Sequence, residues 1–188
     1  MRRCAAFILT GLLGAGSLLG TGTLLADQTD ARLDGLFEML LQTKNGNTIR
    51  ATENEIWELW LQHPNTDVVQ LMTLGTERMN LQRYDDALLI FSQVIDRFPE
   101  FAEAWNKRAT LYYIVGNYDA SLADIERTLL LEPRHFGALS GMGLVYLQRR
   151  ELTKARQAFE NLIRIHPNSP NAQENLKLIV ESQRLQII

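Results

Sequence analysis

Three histidines, a run of acids and a pair of tryptophans are the residues here whose types and spacing invite chemistry. His63 and His166 stand directly before prolines, and His135 stands two residues after one. A metal site needs its ligands to converge on one ion at about 2 Å. Histidines at equivalent turns of successive helical units are separated by about 10 Å, one helix diameter. They therefore read as surface turn residues that share no metal. Asp119, Asp124 and Glu126 cluster beside Arg127. Acid–base catalysis wants carboxylates with separated roles in distinct environments, and a single helix carrying these four reads as a solvated face. Trp57 and Trp60 are three apart, which puts both rings on one side of a helix. That spacing is the spacing of a core pair; an exposed anchor is the other reading, since tryptophan is enriched at binding hot spots. The sequence contains no glycine-rich phosphate loop, HExxH or GxSxG, motifs that carry phosphate, zinc and acyl chemistry. Nothing here points to an enzyme or to a bound cofactor.

The other reactive side chain is Cys4, the single cysteine. It sits in a segment with its own character. Arg2 and Arg3 are followed by residues 4–26, which carry no charge and are rich in Leu, Ala and Gly, up to Asp27. A basic start, an apolar middle and a small residue before a polar stretch describe a secretory leader. Cleavage after Ala26 is expected, which leaves a mature protein in the periplasm or secreted, without cysteine and so without disulfides. The alternative is a retained membrane anchor holding the rest outside the cytoplasm, since 23 uncharged residues are long enough to span a bilayer. Removing Arg2 and Arg3 takes the 19 basic residues to 17 against 22 acidic ones, and the net charge from −3 to −5. That balance opposes nucleic acid and anionic lipid. A membrane is a partner only if residues 4–26 are retained.

Whatever these residues do, a repeat positions them. Pro64, Pro99, Pro133 and Pro167 are 35, 34 and 34 residues apart. Gly75, Ala109 and Gly143 share one phase, as do Ala87, Ser121 and Ala155, and Phe91, Ile125 and Phe159. A fixed period of this length means stacked units that bury one continuous core. Residues 68–81, 102–115 and 136–148 carry apolar residues at i, i+3, i+4 and i+7, the pattern of an amphipathic helix. Gly116-Asn117 marks a turn, and a second helix then runs to each proline, which ends it. The small residues let paired helices approach, and the large ones fill the space between.

This pattern resembles the tetratricopeptide repeat. Trp105, Ala109, Tyr112, Gly116, Tyr118, Ser121 and Pro133 fall at that family's signature positions. So do Leu71, Leu74, Gly75, Tyr84, Ala87, Phe91 and Pro99, and then Leu139, Gly143, Tyr146, Ala155, Phe159 and Pro167. Arg78 replaces an aromatic, and Gln82 and Arg150 replace the turn glycine. The block from Trp105 to Gly143 also looks like a group of small exported bacterial members. The resemblance implies an all-α fold, a superhelix (α-solenoid) of antiparallel hairpins, with three repeats at 68–101, 102–135 and 136–169. Residues 27–67 are expected to form a divergent hairpin that closes the N-terminal end, with helices at 31–43 and 52–63. Its second helix opens on a capping box at Thr52-Glu53-Asn54-Glu55. Residues 170–188 form a capping helix over the last repeat.

In this family the first helix of each hairpin lines the concave side, where ligands bind. Carried over, that gives Met72, Thr76 and Met79 from the first repeat, Asn106, Lys107, Thr110 and Tyr113 from the second, and Ser140, Leu144 and Leu147 from the third. Such a groove accepts a partner's peptide or helix. Some members clamp a C-terminal carboxylate with several basic residues. Here Met72 stands at one of those positions and only Lys107 and Arg134 remain nearby, so the clamp is incomplete. The function implied is a non-catalytic scaffold or adaptor. The alternatives are a membrane-tethered assembly or maturation factor of the cell envelope, or a non-catalytic subunit of an enzyme complex.

Overall fold

The computed structural model describes residues 27–185. The leader, its cleavage after Ala26 and the anchor alternative all fall outside them. The described residues form helices and no strand: α1 (Arg32–Gln42), α2 (Gly46–Trp60), α3 (Thr66–Asn80), α4 (Tyr84–Arg97), α5 (Ala102–Ile114), α6 (Tyr118–Leu131), α7 (Phe136–Gln148), α8 (Leu152–Ile165) and α9 (Pro170–Leu185). Among them none is long and apolar enough to cross a membrane.

The pairs α3–α4, α5–α6 and α7–α8 are the three repeats, stacked in chain order into a superhelix. Phe98, Glu132 and His166 each precede a repeat proline and take φ of −138°, −136° and −141°. That extended conformation, imposed by the proline ring on its predecessor, is what ends α4, α6 and α8. In the first and third repeats the glycine at the shared phase leaves room that a phenylalanine ring fills. A Cβ on Gly75 would lie 2.6 Å from the Phe91 ring, and one on Gly143 would lie 2.5 Å from the Phe159 ring. Phe91 and Phe159 are themselves fully buried, so neither ring can retreat. Helix α5 touches both α3 and α7, whereas α4, α6 and α8 make no comparable contact with one another. The first helices therefore line the inner side of the curve.

The turn between the two helices of each repeat needs a left-handed residue. Gly116 supplies it with φ 79°, and Gln82 and Arg150 adopt φ 59° at the same place in the flanking repeats. A side chain in that region costs about 1 kcal/mol. The double replacement Gln82→Gly/Arg150→Gly is expected to raise the melting temperature by a few degrees, and Gly116→Ala to lower it. Nothing lies within 4 Å of a Cβ at Gly116, so the second effect measures backbone strain alone. Thermal melts followed by circular dichroism read both.

The N-terminal hairpin departs from expectation in two ways. Helix α2 begins at Gly46, because the Asn45 side chain accepts from the backbone N–H groups of Asn47 and Thr48 at 2.9 and 3.1 Å. Thr52 is therefore inside the helix, where its hydroxyl donates to Thr48 O at 2.8 Å, and the capping box does not form. The hairpin also does not close the N-terminal end. It packs on the third repeat: Leu33, Phe37, Leu40, Ile56 and Trp60 share one core with Phe136, Leu139, Phe159 and Leu162. Helix α9 joins that core through Ala172 and Ile179. The driving force is the apolar stripe on both α1 and α2, too large to leave in water. Phe136, in the first turn of α7, is the matching surface and is buried by the contact. Asn168 Nδ2 donates to Thr43 O at 2.7 Å across the same contact.

Candidate functional site

Where the hairpin meets α5 and α7, a buried polar cluster sits at the head of the inner face. Glu103, in the first turn of α5, is 1% exposed. Its Oε2 accepts from Asn106 Nδ2 at 3.0 Å and bonds His135 Nε2 at 3.1 Å. Lys107 Nζ stands 3.3 Å from its Oε1. Burial alone would push the Glu103 carboxyl up; the His135 ring, the Lys107 ammonium and the Asn106 amide outweigh it and hold the carboxyl below its ordinary range. His135 caps α7, its Nδ1 accepting from Ala138 N–H at 3.1 Å. That bond fixes the tautomer with the proton on Nε2, which donates to Glu103. Trp60 stacks on the His135 ring at 4.1 Å and 11°, and Trp57 meets it edge-on at 5.5 Å. Trp57 also packs where Gly137 has no side chain: a Cβ there would lie 2.6 Å from the indole.

Two histidines are therefore corrected from turn surface to interior: His135 is 0% and His166 1% exposed. Burial lowers the pKa of His166, whose Nε2 faces Glu53 Oε1 at 3.6 Å. His63 is half-buried between Phe98 and Phe101, at 4.9 and 5.0 Å. Among the described residues no three His, Asp or Glu side chains are placed to hold a metal ion. The acidic cluster on α6 is likewise only partly a solvated face. Asp124 is buried and takes the Arg108 guanidinium with two bonds of 2.7 and 2.9 Å, while Asp119 is exposed and pairs with Arg149. The two tryptophans are core, as their spacing predicts.

Below the hairpin the inner face keeps two open clefts. One, of about 500 Å³, lies between α2, α3 and α5 and is lined by Leu61, Val69, Met72, Thr76 and Lys107 among others. The second, of about 330 Å³, runs between α5 and α7. Thr110, Tyr113, Ile114, Ser140 and Leu144 rim it, Gly137 borders it, and Gly141 opens it down to Ser121 and Ile125 of α6. Both clefts are mainly apolar with hydroxyls at the edge. The Thr110 hydroxyl donates to Asn106 O at 2.9 Å and the Thr76 hydroxyl to Met72 O at 2.8 Å, so each presents its methyl group and a spare lone pair.

Of the ten groove positions expected from sequence, eight line these clefts. Asn106 is 7% exposed and committed to Glu103, and Met72 is 3% exposed, with one flank in the core and one on a cleft. Met79 packs on the core of the first repeat and lines neither cleft. Leu147 faces the end of α7 near Arg150 and Ser182 instead. Lys107 is shared with Glu103 and stands over the Trp57 ring at 5.8 Å. Arg134 is held by Asp34 and Glu132, so neither basic residue is a free carboxylate clamp. Sequence reasoning missed Leu61, Val69, Ile114 and the glycines. The glycines were visible as a pair, since Gly137 and Gly141 are four apart and must share one face of α7.

The profile of the tetratricopeptide repeat matches residues 72–114 and 106–170. A TPR repeat-containing protein of Rhizobium etli is 35% identical over 150 residues, which cover 80% of this chain and 74% of that protein. DnaJ homolog subfamily C member 3 of Homo sapiens is 25% identical over 122 residues, 65% of this chain and 24% of that protein, so the chain spans about a quarter of it. Among solved structures, the first TPR domain of Spaghetti (RPAP3) bound to an HSP90 peptide superposes with a TM-score of 0.60 at 20% identity, covering 62% of this chain and 93% of that one. The Yersinia enterocolitica type III secretion chaperone SycD, in complex with a peptide of the translocator YopD, gives a TM-score of 0.60 at 15% identity, covering 63% and 96%. At those identities the likeness is one of fold. The chain belongs to the tetratricopeptide-repeat family.

Proposed function

We propose that this protein is a non-catalytic interaction scaffold that binds an apolar peptide segment of a partner along the inner faces of α3, α5 and α7. The observation that carries the reading is the cleft between α5 and α7, which reaches from Tyr113 and Leu144 at the rim to Ile125 at its floor. Such a concave, mostly apolar site with a few hydroxyls accepts a side chain and orients it. The solved neighbours that hold an HSP90 peptide and a translocator peptide support the same mode of use. An acidic chaperone tail is a poor fit here, because Lys107 and Arg134 are already paired. The leader-like residues 1–26 support a place outside the cytoplasm. N-terminal sequencing of the mature protein tests that part, and a start at Asp27 is the expected result.

The groove is tested by filling it. A Cβ on Gly141 would meet Ile125 at 3.5 Å, an ordinary contact, so Gly141→Ala is tolerated while Gly141→Leu projects into the cleft. A photo-crosslinking residue at Ile114, 45% exposed at the rim, should capture a partner in native cells. Gly141→Leu should reduce that capture at least about tenfold, and Gly141→Ala should not. Equal capture by all three removes the cleft from the reading.

A further inference from the structure

In the second and third repeats, the first helix is covered on the side facing the preceding unit. Trp105 of α5 packs on the core of the first repeat, and Arg108 Nη1 donates to Ser92 Oγ of α4 at 3.0 Å. Met142 of α7 packs against Leu122 and Ile125 of α6. The equivalent positions in the first repeat are Leu71 and Leu74, 34 residues before Trp105 and Arg108. The hairpin that precedes them in sequence has gone to the third repeat, so no helix among the described residues covers this end. Leu71 and Leu74 are left half-buried in a shallow groove of about 330 Å³ that Asp67 and Arg97 also line.

The charges around this groove name its occupant. Asp67, Leu71, Leu74 and Arg78 are spaced i, i+4, i+7 and i+11 on α3, a single stripe down one helix face. The stripe reads acid, apolar, apolar, base. Laid antiparallel on a second copy of itself, it puts Asp67 against Arg78, Leu71 against Leu74, and the same again in reverse. Helix α4 repeats the polarity with Asp86 in its first turn and Arg97 in its last. An acid-first, base-last order also suits a helix's own dipole, but the dipole does not require two half-exposed leucines between the charges. Among the described residues neither Asp67 nor Arg78 has an ion-pair partner.

We propose that the end face of α3 is the interface of a two-fold homodimer, in which each copy of this chain caps the open first repeat of the other. A self-complementary patch is what a two-fold contact requires, and an end repeat with an apolar face requires a cap. The contact lies away from the clefts, so it stands or falls separately from the peptide-binding reading. It places two grooves in one particle, which raises avidity for any partner that presents two segments.

Sedimentation velocity over a concentration series decides it, using the full chain expressed with its own N-terminal segment and purified as the cell leaves it. The expected result is a concentration-dependent dimer. Leu74→Glu should give a monomer. Asp67→Arg and Arg78→Asp should each weaken the dimer at least about tenfold, and the double variant Asp67→Arg/Arg78→Asp should restore it. Circular dichroism keeps track of folding in each variant. A wild type that stays monomeric at every concentration overturns the proposal. So does a dimer indifferent to Leu74→Glu, a double variant no better than the singles, or a monomer whose end face is filled by a helix of another protein.

Discussion

Trp60→Ala is expected to cost about 3–5 kcal/mol of folding stability and to free α1–α2 from the repeats. Trp60 is 1% exposed, and its contacts reach both sides of the docking seam. It stacks on His135, meets Trp57 edge-on at 5.3 Å, and lies 4.9 Å from Phe136 and 6.1 Å from Phe37. Removing it loses the transfer energy of an indole and leaves a void that four fixed neighbours cannot close. The first two repeats have their own cores around Phe91 and around Ile125, so they should stay helical. The expected pattern is an early urea transition with new proteolytic cleavage near residues 61–65, followed by a later transition for the repeats. Trp60→Phe should cost much less, because it keeps the stack and removes an indole N–H that has no hydrogen-bond partner. A loss below about 1 kcal/mol for the alanine variant would mean that the hairpin is held elsewhere. Because Leu61, next in sequence, walls the cleft on α3, release of the hairpin should also change ligand affinity.

The fold was legible because the repeat states it many times. Prolines at a fixed period and small residues at fixed phases give helix ends and helix contacts without any long-range information, and Gly75 and Gly143 do meet the rings of Phe91 and Phe159. The docking of the hairpin was not legible. Its stripe of Leu33, Phe37, Ile56 and Trp60 announces that a large apolar partner exists, but amphipathicity carries no address. The address is written in residues that look unremarkable in sequence: a glycine at 137 that admits Trp57, and His135, which lies beneath Trp60. The histidines were misplaced for the same reason. Turn positions are exposed in an isolated hairpin, and these two are buried only because another hairpin lands on them. Most of the positions expected on the inner face border the two clefts, yet Asn106 is committed to Glu103 and Met79 turns into the core. Helical spacing fixes direction to within about one side chain's width, and burial at the edge of a groove is decided by the neighbour.

Glu103→Ala is expected to cost about 3 kcal/mol, since it leaves the His135 N–H and the Asn106 amide buried without their acceptor and Lys107 without its counter-ion. Glu103→Gln keeps the shape and one acceptor, so its loss should be smaller and should fall mainly on the Lys107 side. The same carboxylate sets an acid limit on folding. Its folded pKa lies below the unfolded value, so its contribution is complete above the ordinary carboxylate range and is lost as pH falls through that range toward the folded value. His166 acts earlier and with the same sign. Its folded pKa is depressed by burial, so it costs nothing above its unfolded value. It opposes folding as pH falls through that value, because the unfolded chain then binds the proton first. Glu53, whose pKa is raised by burial against the pull of Arg50, works the other way: it gains stability as pH falls through its raised folded value toward the ordinary carboxylate value, which offsets part of the Glu103 decline. Urea unfolding as a function of pH should therefore show a shallow decline beginning near the histidine range and a steeper one in the carboxylate range. His166→Gln should remove the first decline and Glu103→Gln should flatten the second. A profile in which Glu103→Gln leaves the lower limb unchanged would show that the cluster under the tryptophans is not what acid undoes.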